Sequence, residues 1–481
     1  MNYQPLYQPL SQELLLKIRS EAFQVLADVG FLMELEEAFE PLEKFGCRLN
    51  RRNHRIFIPS SVTLKALDYA PKTITLYDRF GQESAVLKGH NVHFDPGSAA
   101  LNLLDYETGR QRQPRLSDLL DLAKIVSQLP HFTLQSTALV PADVPQEIAD
   151  SIRLYAALKY CPKPVITGTF RRDSFKVMLD MLTAVRRGAE NLRDKPLAIF
   201  DCCPSPPLMW SELTAAAVIE CAQSGIPCEF VSMPLMGATA PVTYTGALVQ
   251  HTAEDLSGVV LAQSIKPGAP VIYGGSPAVF DMRHGTTPMG AIETILFDAA
   301  YAQVGKSFNL PIHAYMGLSD SRNIDYQAGL ESGLGAMLAA AAGINIVSGP
   351  GMLDFESCQS WEKLVLDNDI CGMALHLRKG IAPLSDPLGY DIIKQYALTG
   401  DFLKSPETRK FYRAQQYFPS NIIERSAGGM KSGLNAHQRA HLIVQQLLSA
   451  EPETLTGEPL YRIQALMSAE AAKFGLKQLD I

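Results

Sequence analysis

The sequence predicts a (β/α)8 barrel with an N-terminal cap and a C-terminal helical extension. Eight short apolar runs alternate with amphipathic stretches of helical period, the pattern of a parallel sheet layered with helices. Runs such as PVITGTF (164–170) and PVIYGGS (270–276) are apolar almost throughout, as strands buried on both faces are. An open doubly wound sheet is the competing architecture. The count of eight, and the lack of a GxGxxG after the first run, weigh against it.

Residues 1–90 read as the cap. Leu14, Ile18, Val25 and Leu26 recur at helical spacing, and Gly30 stops that helix. A second helix over 35–45 stops at Gly46. Alternating stretches at 55–59, 73–77 and 84–87 read as strands, punctuated by Gly81 and Gly89. Residues 91–380 read as the barrel. Its strands are expected at 91–95, 133–138, 164–170, 197–202, 228–233, 271–275, 312–317 and 345–349. Helices are expected between them at 116–128, 145–160, 174–187, 210–224, 245–265, 286–306 and 325–342, with a last one at 358–377. Residues 381–481 are helical and more polar, broken by Pro383, Pro387, Gly389, Gly428, Gly429 and Gly433.

Length and composition fit this plan. The chain has 481 residues, 47% hydrophobic and 19% charged, enough for a large core and unlike a disordered chain. A barrel of roughly 250 residues or more folds as one domain. The net charge of −7 and the lack of any Lys/Arg block argue against a nucleic-acid partner. No uncharged run reaches about 18 apolar residues, and the start lacks a signal-peptide pattern, so a cytoplasmic, membrane-free enzyme is expected. The eight cysteines form no CxxC pair and read as free thiols.

Barrel chemistry sits at the carboxyl ends of the strands. Those ends offer Phe94 and Asp95; Thr167, Thr169 and Phe170; Phe200, Asp201, Cys202 and Cys203; Tyr273; and His313 and Tyr315, which share one strand parity. Arg283 and Phe355 follow in loops. Each has a plainer reading: a satisfied core histidine, packed thiols, a capping carboxylate, a solvated arginine. The loops after strands five, six and eight, with Pro234, Met236, Gly237, Pro277, Phe280, Pro350, Gly351 and Met352, are unusually apolar. They read either as a docking face or as loops packed on one another. No GxSxG, HExxH, P-loop or zinc spacing is present, and no metal ligand set is expected.

Three segments in order, GRQRQPRLSDLLDLAKIVSQLPH (109–131), PVIYGGSPAVFDMRHGTTPMGAIE (270–293) and SDSRNIDYQAGLESGLGAMLAAAAGINIVSGPGML (319–353), resemble the trimethylamine methyltransferase family over most of residues 10–380. The resemblance implies a barrel that methylates the Co(I) centre of a small corrinoid protein docked at its mouth. The cobalamin-type cofactor is then the partner's and not tightly held by this chain. Trimethylamine enzymes of the family carry pyrrolysine, whereas this sequence has only standard residues. It therefore resembles the branch that demethylates quaternary amines of the glycine betaine, proline betaine or carnitine kind. The window 320–327 is the expected counterpart of the special residue.

A quaternary ammonium leaves as a neutral amine, so positioning is the protein's main task. Aromatic faces attract such a cation, each by roughly 0.5–2 kcal/mol. Phe94, Phe200, Tyr273 and Phe355 are the expected wall, with Asp95 beside them. Arg283 is expected to anchor a carboxylate, and His313 and Tyr315 to position the methyl group. A barrel lyase or decarboxylase and a non-catalytic betaine-binding protein are the competing functions. A homo-oligomer is expected.

Overall fold

The computed structural model describes residues 6–427 and 433–476. All eight expected barrel strands form, most of them shorter than the apolar runs that signal them. They are His93–Asp95, Gln135–Ser136, Val165–Thr167, Ala198–Cys202, Cys228–Phe230, Val271–Ile272, His313–Tyr315 and Ile346–Ser348. We refer to them as strands one to eight. Strands two to six pair in chain order in one parallel sheet, and strands seven, eight and one pair in another. Isolated parallel bridges, Phe94 to Phe132 and Tyr273 to Ile312, join the two sheets. Backbone bonds cross both seams, from Thr133 N to Phe94 O at 3.0 Å and from His313 N to Tyr273 O at 2.9 Å.

Helices follow the strands as the periodicity indicates: Leu116–Gln128, Ala149–Tyr160, Ser174–Arg186, Glu212–Ser224, Tyr244–Ile265, Ile292–Ser307, Tyr326–Ala342 and Trp361–Arg378. Caps begin several of them. Ser211, Thr243, Asp325 and Ser360 each accept a backbone N–H of the first turn.

Alternation along the strands divides their side chains into two environments. Phe94, Val165, Ala198, Phe200, Cys202, Cys228, Phe230, Val271, Tyr273, Ala314 and Val347 join the core shared with the helices. Leu134, Ile166, Ile199, Ile272 and Ile346 belong to a separate cluster, which they share with Ile74, Leu76, Ala85 and Leu87. These last four come from the hairpin Ile74–Tyr77 and Glu83–Leu87. The hairpin therefore plugs the end of the strand assembly opposite the carboxyl ends.

The helix Gln12–Gln24 packs on the helix Tyr244–Ile265. In the C-terminal region, Ala436–Ser449 packs on Trp361–Arg378, and Glu458–Lys473 packs on Ser174–Arg186. Between them, the helices Tyr390–Tyr396 and Pro406–Gln415 bury no residue. No described helix is long and apolar enough to cross a membrane.

The plug yields a test. Leu76 is fully buried against strand residues. Leu76→Ala should cost about 2–5 kcal/mol, read from the denaturant midpoint. A loss below about 0.5 kcal/mol would mean that the hairpin does not bear on the strands.

Candidate active site

The interior residues nearest the carboxyl ends change from aliphatic to ionisable. Asp201 lies two residues beyond Ile199 and pairs in register with Glu229, itself beside Ile272. Asp95 pairs with Ser348, two beyond Ile346, and Tyr315 pairs with Ser348 from the other side. A polar chain results. Ser348 Oγ donates to Asp95 Oδ1 at 2.7 Å, so His313 Nε2 donates to Ser348 Oγ at 2.9 Å. The same ring nitrogen lies 3.6 Å from Glu229 Oε1. His313 and Tyr315 meet edge to face, with centroids 4.8 Å apart.

Burial dominates the ionisation of this group. It pushes His313 down to about 3, so the imidazole is neutral. It raises Asp95 and Glu229 well above the carboxylate range, and Asp201 to about 6. Asp201 and Glu229 titrate as a pair, because the charge of one opposes that of the other.

Above this layer opens a cavity of about 390 Å³, lined by Asp201, Tyr315, Glu356, Ser276, Cys203, Phe170, Met233 and Arg153 among others. Arg153 comes from the helix Ala149–Tyr160, which is buried continuously from Ala149 to Leu158. Its Nε donates to Thr137 O at 3.2 Å and its Nη2 to Thr137 Oγ1 at 3.0 Å. Nη1 is buried and has no hydrogen-bond partner. The guanidinium sits 5.0 Å from the Phe170 ring. Burial lowers it to about 10, which leaves it charged at neutral pH.

Glu356 enters from the loop after strand eight. Asp354, Phe355 and Glu356 all have positive φ, at 49°, 55° and 70°. Three consecutive non-glycine residues in the left-handed region store strain, which the fold tolerates to aim Glu356 inward. Burial, then the charge of Asp320, raise its carboxyl to about 8, while a hydrogen bond with Ser276 opposes the shift. Asp320 accepts the backbone N–H groups of Met289 and Gly290 at 2.8 and 2.9 Å and is raised by burial to about 7. Among the described residues, no group of three or more His, Cys, Asp and Glu is arranged to hold a metal ion.

The residues singled out from sequence divide. His313, Tyr315 and Asp95 come together inside the strands. Phe94, Phe200 and Tyr273 do not join them: their parity turns them toward the helices. Phe200 packs 4.7 Å from the Phe175 ring, and Tyr273 packs among His251, Tyr301 and Phe308. Arg283 is exposed, and its Nε and Nη2 bind Asp281 at 3.1 and 2.8 Å. It lines, with Phe355 and Asp320, a separate and wider cleft of about 980 Å³. Cys202 and Cys203 point to opposite sides, one into the helix core and one to the cavity. The apolar loops mostly pack on one another: Pro350, Gly351 and Met352 are buried, and Leu235–Met236 pairs with Ala278–Val279. Met282 and Val242 stay exposed at the cleft.

Sequence reasoning missed Arg153, Glu229, Ser348 and Glu356. Glu229 had a signal, a lone carboxylate inside the apolar run CEFVSM. Arg153 had a fainter one, a charge in a helix with no polar face.

Comparison with known proteins gives the chain a family. The family model for trimethylamine methyltransferase (MTTB) matches residues 1–460. The chain belongs to this family. It is accordingly a methyltransferase, which removes the lyase and non-catalytic readings. It is 30% identical over 476 residues to a glycine betaine methyltransferase of Desulfitobacterium hafniense (strain Y51), spanning 98% of each chain. It is 30% identical to the trimethylamine methyltransferase MttB of Desulfitobacterium hafniense (strain DSM 10664 / DCB-2), over 94% of this chain and 90% of that one. The crystal structure of the Methanosarcina barkeri monomethylamine methyltransferase (MtmB) shares its fold, with a TM-score of 0.52 at 11% identity over 92% of this chain and 89% of that one.

The Glu356 carboxyl gives a pH test. Its folded value of about 8 lies above the ordinary range, so the native chain holds a proton that the unfolded chain has lost. The stability it contributes is full below about pH 4 and is lost as pH rises through about 8. Glu356→Gln should therefore raise the thermal midpoint more at pH 8.5 than at pH 5. Equal shifts at both pH values would overturn this ionisation assignment.

Proposed function

We propose that the eight strands form a closed (β/α)8 barrel whose mouth binds a zwitterionic quaternary amine of the betaine type and passes one of its methyl groups to the Co(I) of a corrinoid carried by a partner protein. One observation carries this reading. The strand-end cavity sets a charged, buried Arg153 with a free Nη1 among acidic groups, Asp201 and Glu356, and the aromatic rings of Tyr315 and Phe170. A betaine has a carboxylate for the arginine and a quaternary ammonium for the acids and rings. Trimethylamine offers nothing to Arg153. The glycine betaine relative, matched over nearly its whole length, supports the same choice.

The chemistry asks for orientation. The C–N bond breaks with its electron pair on nitrogen, giving a neutral tertiary amine, while the cobalt supplies the pair for the new bond to carbon. No proton is needed at the nitrogen, and His313, held neutral, is unsuited to deliver one. His313 and Tyr315 instead fix the floor on which the trimethylammonium group rests. The partner and its corrinoid are the methyl acceptor, that is, a second substrate. The exposed apolar side chains Phe170, Met233, Val242 and Met282 at the rim suit such a docking protein.

Two measurements test the proposal. Under anoxia, conversion of cob(I)alamin to methylcob(III)alamin is followed spectroscopically with glycine betaine, proline betaine, carnitine, choline and trimethylamine. A betaine is expected to react. Arg153→Met should raise its KM by about 10- to 100-fold, the size of a lost charged hydrogen bond, and leave choline unchanged. Reaction with trimethylamine alone would sink the reading. The second measurement is pH dependence. Asp201 at about 6 and Glu356 at about 8 must ionise to attract a cation, so KM for the betaine should fall as pH rises from 6 to 8.5. A KM that rises over this interval would assign the carboxyls another role.

A further inference from the structure

A cavity of about 630 Å³ lies at the end of the strands opposite the active site. It is bounded by the turn Gly89–His90 before strand one and by residues 306–310, between the helix Ile292–Ser307 and strand seven. The helix Gln12–Gln24 and residues 72–73 before the hairpin complete it. Its wall holds Arg19, Lys72, Lys88, Lys306 and His90, and no carboxylate. The chain as a whole carries a net charge of −7. None of Arg19, Lys72, Lys88 and Lys306 forms an ion pair with a carboxylate among the described residues.

Their hydrogen bonds leave donors to spare. Arg19 Nη1 makes a long contact of 3.5 Å to Ser307 O, and the guanidinium rests 4.6 Å from the Phe308 ring. Lys306 donates to Gly89 O and Asn345 Oδ1, which uses two of its three N–H bonds. Lys72 donates to Leu67 O, and the Lys88 ammonium has no hydrogen-bond or ion-pair partner among the described residues. Charge relations point the same way. Burial, then Arg378, push Lys306 down to about 7, and burial, then Lys306 and Arg378, push His90 down. Lys72 alone has an acid, Asp68, in its field. The neutral groups of the wall, including Gln12 and Thr73, are donors of the kind that phosphate oxygens accept.

We infer that this cavity is a binding site for a phosphate group, free or borne by a small molecule, on the face of the enzyme remote from its methyl-transfer site. A cluster of lysines and an arginine that form no ion pair among the described residues is the electrostatic complement of a compact dianion. The inference is independent of which amine the active site takes.

Calorimetric titration of the full chain with inorganic phosphate, pyrophosphate and ATP tests it, against sodium chloride at equal ionic strength. Saturable binding of one anion per chain is expected, with a dissociation constant below about 1 mM, the lower end of specific small-ligand affinity. Phosphate and pyrophosphate binding alone would assign a free anion; tighter binding of ATP would assign a phosphate carried by a larger molecule. Lys72 and Lys88 are exposed, so the double variant K72A/K88A should fold and should weaken binding at least tenfold. Arg19→Gln should do the same. Heat no greater than that of chloride, or an affinity unchanged in both variants, overturns the site.

Discussion

In a parallel strand buried on both faces, one residue meets the helices and the next meets the interior, and every strand residue of the candidate site depends on that alternation. A step of one residue separates Phe200, packed on Phe175, from Asp201, which faces the cavity. The same step separates Tyr273 from Ile272, and Phe94 from Asp95. Because neighbouring strands are held in register, the interior residues stack in layers. Aliphatic side chains occupy the plugged end, and ionisable ones occupy the open end.

Concentrating Asp95, Asp201, Glu229 and Glu356 in one buried interior is costly. The structure limits that cost by keeping protons on the deepest carboxyls and by running the hydrogen-bond chain His313–Ser348–Asp95 between them. The acids left nearest the cavity, Asp201 and Glu356, titrate at about 6 and about 8, within reach of neutral pH. A cation entering the cavity shifts both toward the charged form, so the site tightens on the ligand that suits it. Arg153 supplies the opposite charge from outside the strands.

The fold was largely legible because its signals are periodic and local. All eight strand positions and the helices between them follow from apolar spacing, and the match at Leu116–Gln128 extends to both ends. Parity was legible in principle, since His313 and Tyr315 do lie on one interior face. The aromatic residues Phe94, Phe200 and Tyr273 were assigned to the mouth because they stand at strand ends. Position along a strand does not decide which side a ring faces, and a large apolar ring is most stable against the helices. Arg283 and Arg153 show a second limit. A loop arginine near a strand end looks available, yet Arg283 is taken by Asp281. Arg153 sits in a helix, and only the tertiary fold brings its Nη1 to the cavity. Glu356 depends on three left-handed residues in succession, a conformation that no propensity favours.

The hairpin that packs Ile74, Leu76, Ala85 and Leu87 against the strands has a consequence for traffic. It turns the interior into a cul-de-sac. Whatever enters between the carboxyl ends leaves by the same route, so a protein seated over that opening holds the smaller molecule beneath it. On the reading proposed above, in which a corrinoid protein docks there, loading comes before docking and discharge waits for that protein to depart. A floor built from four aliphatic side chains thus leaves the interior a single way in and out at the opposite end of the molecule.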